Sequence, residues 1–492
     1  MLVSRGMLAS ETMTRSGSTA PRFAAPLETL TGLAVFVLTL SLGASLLNDP
    51  DTYSQIAVGR WILAHHAVPR HEVFSYTMQG APWTVHEWLA HAGIAVVYDL
   101  FGWGGLVVAA ALALAATIML LLRALLRYLE PIYALIGAFS AWGLILPHSL
   151  ARPHLFAMPI LVAWISMLVA ARSAERAPSL WWTLLMLPWA NLHGGFVLGY
   201  VFIVMFAGEM VLDQPDWAGV RRQAFAWVRF LVLSVLAGCL TPNGVAGLLL
   251  PFRLMAMHTV MAGVTEWQSP NFQTSQPLEP WLLLALVGAL TFGVKLPVTR
   301  VVMLLALLHE TLLHQRFADA LGIATPLIVA KPLATQLPSL AATVWGARFA
   351  RLARPGGGGT ALAAAAALGL AVVPICVGIR HDSGRFAPAA AVAYARQHGI
   401  SGPILNGSNF GGYLIFCGIA PFIDKRAELY GDAFTKRARD IAALPGILTQ
   451  YHIAWTLLEP NDTRAAMLDE LAGWKRVYAD DLAIIHIRDT TP

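Results

Sequence analysis

The chain alternates long apolar runs with short polar breaks, and most of the runs are too long for strands. They recur near 28–47, 104–126, 131–147, 154–172, 180–192, 195–212, 225–241, 281–295, 299–314, 317–331 and 360–379. Each predicts a helix, and about 20 apolar residues in a helix cross the hydrocarbon core of a bilayer. Several runs are shorter, so half-helices or kinks are expected around Pro147, Pro153, Pro188 and Pro242, where a backbone donor is missing. After residue 380 the pattern changes to short runs, "PILN", "PFID", "IAWTLLE", "KRVYAD" and "LAIIHIR", with helical patterns at 387–398, 433–450 and 464–473. That alternation predicts a small α/β domain.

Composition agrees. The 492 residues are 57% hydrophobic and 12% charged, where a soluble protein carries about 25% charged residues. The fold class is therefore a polytopic α-helical membrane protein of about 11 spans with a small C-terminal α/β soluble domain. Cys239, Cys376 and Cys417 are few, odd in number and far apart and lack C-x-x-C spacing, which argues against a disulfide framework or a zinc site. No basic run carries interleaved aromatics, so no nucleic-acid partner is expected. Met1 to Pro26 is polar and mixed, with no evident cleavable signal.

Positive charge orients the runs. Arg5, Arg15 and Arg22 precede the first; Arg123 and Arg127 follow the second; Arg172 and Arg176 follow the fourth; Arg221 and Arg222 follow the sixth. Lys295 and Arg300 flank a later turn, and Lys331, Arg348, Arg351 and Arg354 precede the last run. The positive-inside rule makes these positions cytoplasmic. Residues 86–101 are apolar enough to span, but a span there would invert every later loop, so they are read as an interfacial or re-entrant helix. The expected organisation is a cytoplasmic tail 1–27, a transmembrane domain 28–330 with a large first outer loop 48–103, a cytoplasmic linker 331–359, a last span 360–379 and a periplasmic α/β domain 380–492. The expected location is a bacterial inner membrane.

This orientation gathers the unusual polar motifs at the outer face: Asp49 and Asp51, "HEW" at 86–88, "ARPH" at 151–154, "NLHGG" at 191–195, "TPNG" at 241–244, "TEWQSPNF" at 265–272 and "HQRF" at 314–317. Asp49 and Asp51 fit either N-caps of the helix that follows or a general base at the membrane surface. Arg60 fits a snorkelling interface residue, a contact to lipid phosphate, or a partner for an aspartate. In "HEWLAH" the histidines are five apart, which excludes a zinc-protease motif. His86 and Glu87 remain candidates to help the aspartates hold a hard cation such as Mg2+ or Mn2+. Arg152, His154, Asn191, His193, Glu266, His314 and Arg316 lie at or near outer helix ends, suited either to an anionic lipid-linked phosphate or to pairing within the bundle. In the tail, "NGSNFGGYLIF" (406–416) and "FIDKRAELYGD" (422–432) form a charged, turn-rich pair, read either as a solvated salt-bridged loop or as a lid over the site.

Together "DPDTYSQIAVGRWIL…PRHEVFSYTMQGAPWTVHEWL", "ARPHLF", "WANLHGGFVLG", "TPNG", "EWQSPNF" and "NFGGYLIF…FIDKRAELYGD" resemble bacterial GT-C class glycosyltransferase-like membrane proteins over most of the chain. The resemblance implies a polyprenyl-phosphate-linked sugar donor, transfer to an unknown acceptor, and a first-loop carboxylate as base, either Asp51 or Asp49. It also marks departures: Ser54–Gln55 stands where relatives carry Trp-His, and Asp424–Lys425–Arg426 where they often carry "DGR". A non-catalytic scaffold or assembly partner in envelope polysaccharide biogenesis is the alternative. A lipid-linked sugar transporter fits less well, because the polar residues gather at one rim rather than at midplane depth.

Overall fold

The apolar runs form helices, and their polar breaks form the turns. A computed structural model describes residues 26–341, 357–379, 381 and 385–489. The expected N-terminal tail, with Arg5, Arg15 and Arg22, and linker residues Arg348, Arg351 and Arg354 lie outside the described residues. In chain order the bundle comprises α1 (Leu27–Leu42), α2 (Asp51–His65), α3 (Trp88–Leu125), α4 (Pro131–Ile145), α5 (Pro153–Ser173), α6 (Met186–Leu192), α7 (Val197–Leu212) and α8 (Trp217–Gly238). It continues with α9 (Gly244–Met255), α10 (His258–Met261), α11 (Leu278–Phe292), α12 (Val298–Leu313), α13 (Ala318–Gln336) and α14 (Gly357–Val377).

Among the described residues, seven helical stretches are long and apolar enough to cross a bilayer: 27–47, 88–125, 131–148, 153–173, 194–212, 315–336 and 358–377. The other four expected spans fall on helices that are shorter or more polar: the 180–192 stretch, α8, α11 and α12. Proline marks the expected breaks. Pro147 lies in a 3-10 turn and Pro153 opens α5, where its missing N–H costs no helical bond.

A straight helix of 38 residues would be about 57 Å long, roughly twice the hydrocarbon thickness. Helix α3 is not straight. Gly102 has φ 61° and ψ −158°, a conformation glycine adopts without a Cβ penalty. The break separates 88–101, which packs on α2, from the apolar arm 103–125, which is long enough to span by itself.

The main core lies between α3, α4, α5, α7 and α13 and includes Leu114, Ile118, Ala138, Val162, Phe206 and Leu327. Glu209 gathers two arginines within it. Glu209 receives Arg300 Nε at 2.8 Å and Nη2 at 3.0 Å, and Arg172 Nε lies 2.9 Å from it. Such pairing is what makes ionised groups tolerable in a bundle of this kind.

The tail adds α15 (Ala389–Gln397), α16 (Gly411–Phe416), α17 (Ala427–Arg439), α18 (Leu444–Gln450) and α19 (Thr463–Glu470) around a four-stranded sheet. The strands are β1 (Ile404–Asn406), β2 (Trp455–Leu458), β3 (Trp474–Ala479) and β4 (Ile484–Arg488), in the order β1-β2-β4-β3. Only β1 and β2 run parallel. The expected strand at "PFID" is not one. Its backbone is held by side chains instead: Phe422 N–H donates to Asn406 Oδ1 at 2.8 Å, and Thr77 Oγ1 donates to the Phe422 carbonyl at 2.7 Å.

That second bond comes from the first loop, which docks on the tail along its length. Tyr76 Oη donates to the Ile404 carbonyl at 2.8 Å, and Ser75 Oγ to the Pro421 carbonyl at 3.1 Å. Buried Arg426 joins Glu72 of the loop (Nη1–Oε2, 2.6 Å) to Asp424 of the tail (Nη2–Oδ2, 2.6 Å). The "FIDKRAELYGD" cluster is therefore not the solvated loop of one sequence reading. Helix α16 packs on α2 at Gly412, where a Cβ would stand 2.4 Å from the Pro50 carbonyl oxygen.

Candidate active site

Asp49 and Asp51 meet Arg152 because two turns are pinned together. The 3-10 turn Gly43–Leu47 ends α1, and the Ala151 N–H donates to the Leu46 carbonyl at 2.7 Å. Arg152 precedes Pro153, which holds it extended at φ −121° and ψ 162°. Its guanidinium then reaches three carboxylates. Asp49 takes Nε through Oδ2 and Nη2 through Oδ1, the latter at 3.1 Å. Glu266, in the 3-10 turn Thr265–Trp267, takes Nη1. Asp51 Oδ2 stands 3.5 Å from Nη2.

The two aspartates differ in commitment. Asp49 is fully buried, and its Oδ1 also accepts the Asp51 N–H at 3.1 Å. It therefore holds the first N–H of α2 and the Arg152 guanidinium at once. Asp51 keeps 31% of its side chain exposed and has only the longer contact. Its surroundings push its carboxyl up to about 7, through desolvation and the Asp49 charge, against the opposing pull of Arg152 and Lys425. Lys425, from the tail, has its ammonium pushed down by desolvation, while Asp51 pulls it the other way.

A second group surrounds Glu87. Its carboxylate lies 3.5 Å from His86 Nε2, 3.7 Å from His193 Nε2 and 3.9 Å from His91 Nε2. Desolvation opposes its ionisation, but the three imidazoles outweigh that and hold it well below the usual carboxylate range. His193 Nδ1 accepts the Gly195 N–H at 3.1 Å, which directs Nε2 towards Glu87. The His154 ring is 6.1 Å from that of His193, and its Nε2 is 3.1 Å from the His148 carbonyl. Arg316 stands between the groups: its charge acts on Glu266, Arg152, Glu87 and Asp319. Its guanidinium lies 4.7 Å over the Trp267 ring and makes no ion pair or hydrogen bond among the described residues.

The sequence matches no known family model and none of the curated proteins. Among solved structures, the oligosaccharyltransferase AglB from Archaeoglobus fulgidus, in complex with an inhibitory peptide and a dolichol-phosphate, matches with a TM-score of 0.51 at 10% identity. The match covers 87% of this chain and 69% of that one. ArnT from Cupriavidus metallidurans in the apo state matches with a TM-score of 0.51 at 15% identity, over 94% of this chain and 97% of that one. The fold is GT-C-like.

Within this GT-C-like frame the structure brings Asp49, Asp51, Arg152 and Glu266 into one cluster, His86, Glu87 and His193 into another, and His154 and Arg316 beside them. Three candidates go elsewhere. Arg60 pairs with Asp99 at 2.6 Å and lies 5.3 Å from the Tyr98 and Phe416 rings. Asn191 accepts from Trp88 Nε1 at 2.5 Å and donates to the Leu187 carbonyl at 2.7 Å, joining α6 to the start of α3. His314 Nδ1 lies 2.6 Å from the Trp267 carbonyl and steadies the turn that carries Glu266. Ser54 and Gln55 are buried within the packing of α2, and Ser54 Oγ donates to the Asp51 carbonyl at 2.8 Å.

Sequence reasoning passed over Lys425 and Asp319. An acid inside an apolar helix is a signal for Asp319; Lys425 was visible only as part of a charged cluster. Among the described residues, no group of three or more His, Cys, Asp or Glu could hold a metal ion. Both Asp49 oxygens are taken by Arg152, so a divalent cation there would have to displace a guanidinium.

Proposed function

We propose that the chain is a membrane glycosyltransferase that takes a sugar from a polyprenyl-phosphate donor, with Asp51 as the general base. The observation that carries this reading is the division of labour around Arg152. Asp49 is saturated, while Asp51 is partly open, with a carboxyl that burial and the neighbouring Asp49 push up to about 7. A base with that pKa accepts a proton at neutral pH and is regenerated afterwards. The likeness to AglB, whose structure holds a dolichol-phosphate, supports the donor class.

In this mechanism Asp51 takes the proton from an acceptor hydroxyl or amide as that atom attacks the anomeric carbon. The bond from that carbon to the phosphate oxygen breaks, and the electron pair leaves on the polyprenyl phosphate. Attack opposite the leaving group inverts the sugar. Arg316, whose guanidinium has no carboxylate partner among the described residues, and Lys425 offset the charge that develops on the phosphate. Arg152 holds Asp49 and thereby the start of α2. Arg123 and Arg172 lie in the last turns of α3 and α5, at the far end of α5 from Arg152, and by the positive-inside rule this supports an outer, periplasmic position for Asp51.

The test is sugar transfer by purified protein in liposomes, from a synthetic polyprenyl-phosphate donor to an extract of envelope acceptors. Wild type transfers and Asp51→Asn does not. Transfer that survives in Asp51→Asn and in Asp49→Asn alike ends this reading.

A further inference from the structure

At the end of the bundle opposite Asp49, the last turns of α3 and α5 and the segment 176–182 enclose an open groove of about 300 Å3. Its walls are apolar, with Leu120 on α3 and Val162 and Met167 on α5. Arg123, Arg127 and Arg176 line its mouth beside Trp182, whose side chain is half-exposed. No carboxylate lines it among the described residues. None of the three guanidinium groups makes an ion pair or hydrogen bond among the described residues, unlike those of Arg172 and Arg300 nearby, which are paired with Glu209. Deeper in the groove, Ser166 Oγ is buried and has no hydrogen-bond partner among the described residues. Beyond it a small cavity of about 10 Å3 continues towards Leu327 and Ala330 of α13.

We propose that this groove binds one anionic phospholipid. The phosphate is held by Arg123, Arg127 and Arg176, an ester oxygen meets Ser166 Oγ, and an acyl chain lies along Leu120 and Val162. Guanidinium groups match phosphate oxygens in geometry as well as charge. Basic pockets between helices at the inner face of a membrane suit anionic head groups, and a tryptophan belongs at head-group depth. Charge argues against the chain's own segment 342–356 as the occupant, because its sequence holds Arg348, Arg351 and Arg354 and no carboxylate. The site is separate from the Asp51 cluster and does not depend on the reaction proposed there.

The experiment uses the full chain, delipidated and reconstituted in nanodiscs of equal phosphatidylglycerol and phosphatidylethanolamine. Bound lipid is then counted by native mass spectrometry after release into detergent. Wild type is expected to retain one phosphatidylglycerol in preference to phosphatidylethanolamine. Each arginine-to-glutamine change at 123, 127 and 176 should lower retention roughly fivefold, and the triple variant on the order of a hundredfold. Ala163→Phe fills the groove while keeping every charge, and is also expected to lose the lipid. Arg221→Gln with Arg222→Gln, which changes charge at the same end outside the groove, should not. Equal retention of the two lipids by wild type would overturn the proposal. So would unchanged retention in Ala163→Phe, or an equal loss in the Arg221/Arg222 variant, which would mean general surface attraction. If the triple variant does not fold, the wild-type preference and Ala163→Phe decide.

Discussion

Arg152 holds Asp49 by two nitrogens and leaves Asp51, two residues on, with a single contact at 3.5 Å. Asp49→Asn should therefore act mainly on stability. Breaking a buried pair from one side costs about 3–5 kcal/mol, read as a lower melting temperature in detergent. Asp51→Asn should fold like wild type and lose transfer by roughly 100- to 10,000-fold. If Asp51→Asn unfolds the protein and Asp49→Asn spares it, the roles are reversed.

The pH dependence has a definite sign. Asp51 must be ionised to act as a base, so transfer should rise with pH through about 7 and level off above it. Stability runs the other way. The folded Asp51 carboxyl is raised from 3.8 to about 7, so the native state binds the extra proton. The contribution is fully present below 3.8 and is lost as pH rises through about 7. Rate profiles and melting curves from pH 5 to 9 check both, and Asp51→Asn should flatten the second.

Lys425→Met removes a charge that lowers the Asp51 carboxyl. The rising limb of the rate profile should move to higher pH, and KM for the lipid donor should increase. An unchanged limb with altered KM would leave Lys425 as a donor contact alone.

Arg426 ties the first loop to the tail through Glu72 and Asp424, all three buried. Glu72→Gln should cost a few kcal/mol and open the loop around 67–87 to protease, because it leaves Arg426 undercompensated. The readout is the cleavage rate at that loop, compared with Arg70→Gln, which changes an exposed neighbour.

Gly412→Ala would place a Cβ 2.4 Å from the Pro50 carbonyl oxygen, so α16 and the start of α2 must part. Overpacking of this kind costs about 1–3 kcal/mol. Because Asp51 begins α2, transfer should fall further than stability alone predicts, whereas Gly418→Ala, beside no neighbouring atom, should change only local backbone strain.

Hydropathy is a local property, and so the helical membrane class, the tail of mixed helix and strand, and the polar motifs at helix ends were legible in the sequence. A run such as 154–172 reads as a helix whatever it packs against. "PFID" was misread because its extended backbone is satisfied by Asn406 and Thr77, a partnership no local pattern encodes. Arg60 carried the same chemistry as Arg152 on paper. Only packing sends one to Asp99 and the other to Asp49.

The sequence by itself determined that the chain spans a membrane and that Asp49 and Asp51 follow the first span, because burying some 20 apolar side chains in lipid outweighs anything else a helix can do. Tertiary structure alone decided which aspartate is saturated, which stays open, and that the charge of Lys425 acts on Asp51. Those outcomes depend on residues more than a hundred, and in one case several hundred, positions apart. The strength of a charge contact depends on distance and local dielectric, and neither is written in the order of the residues.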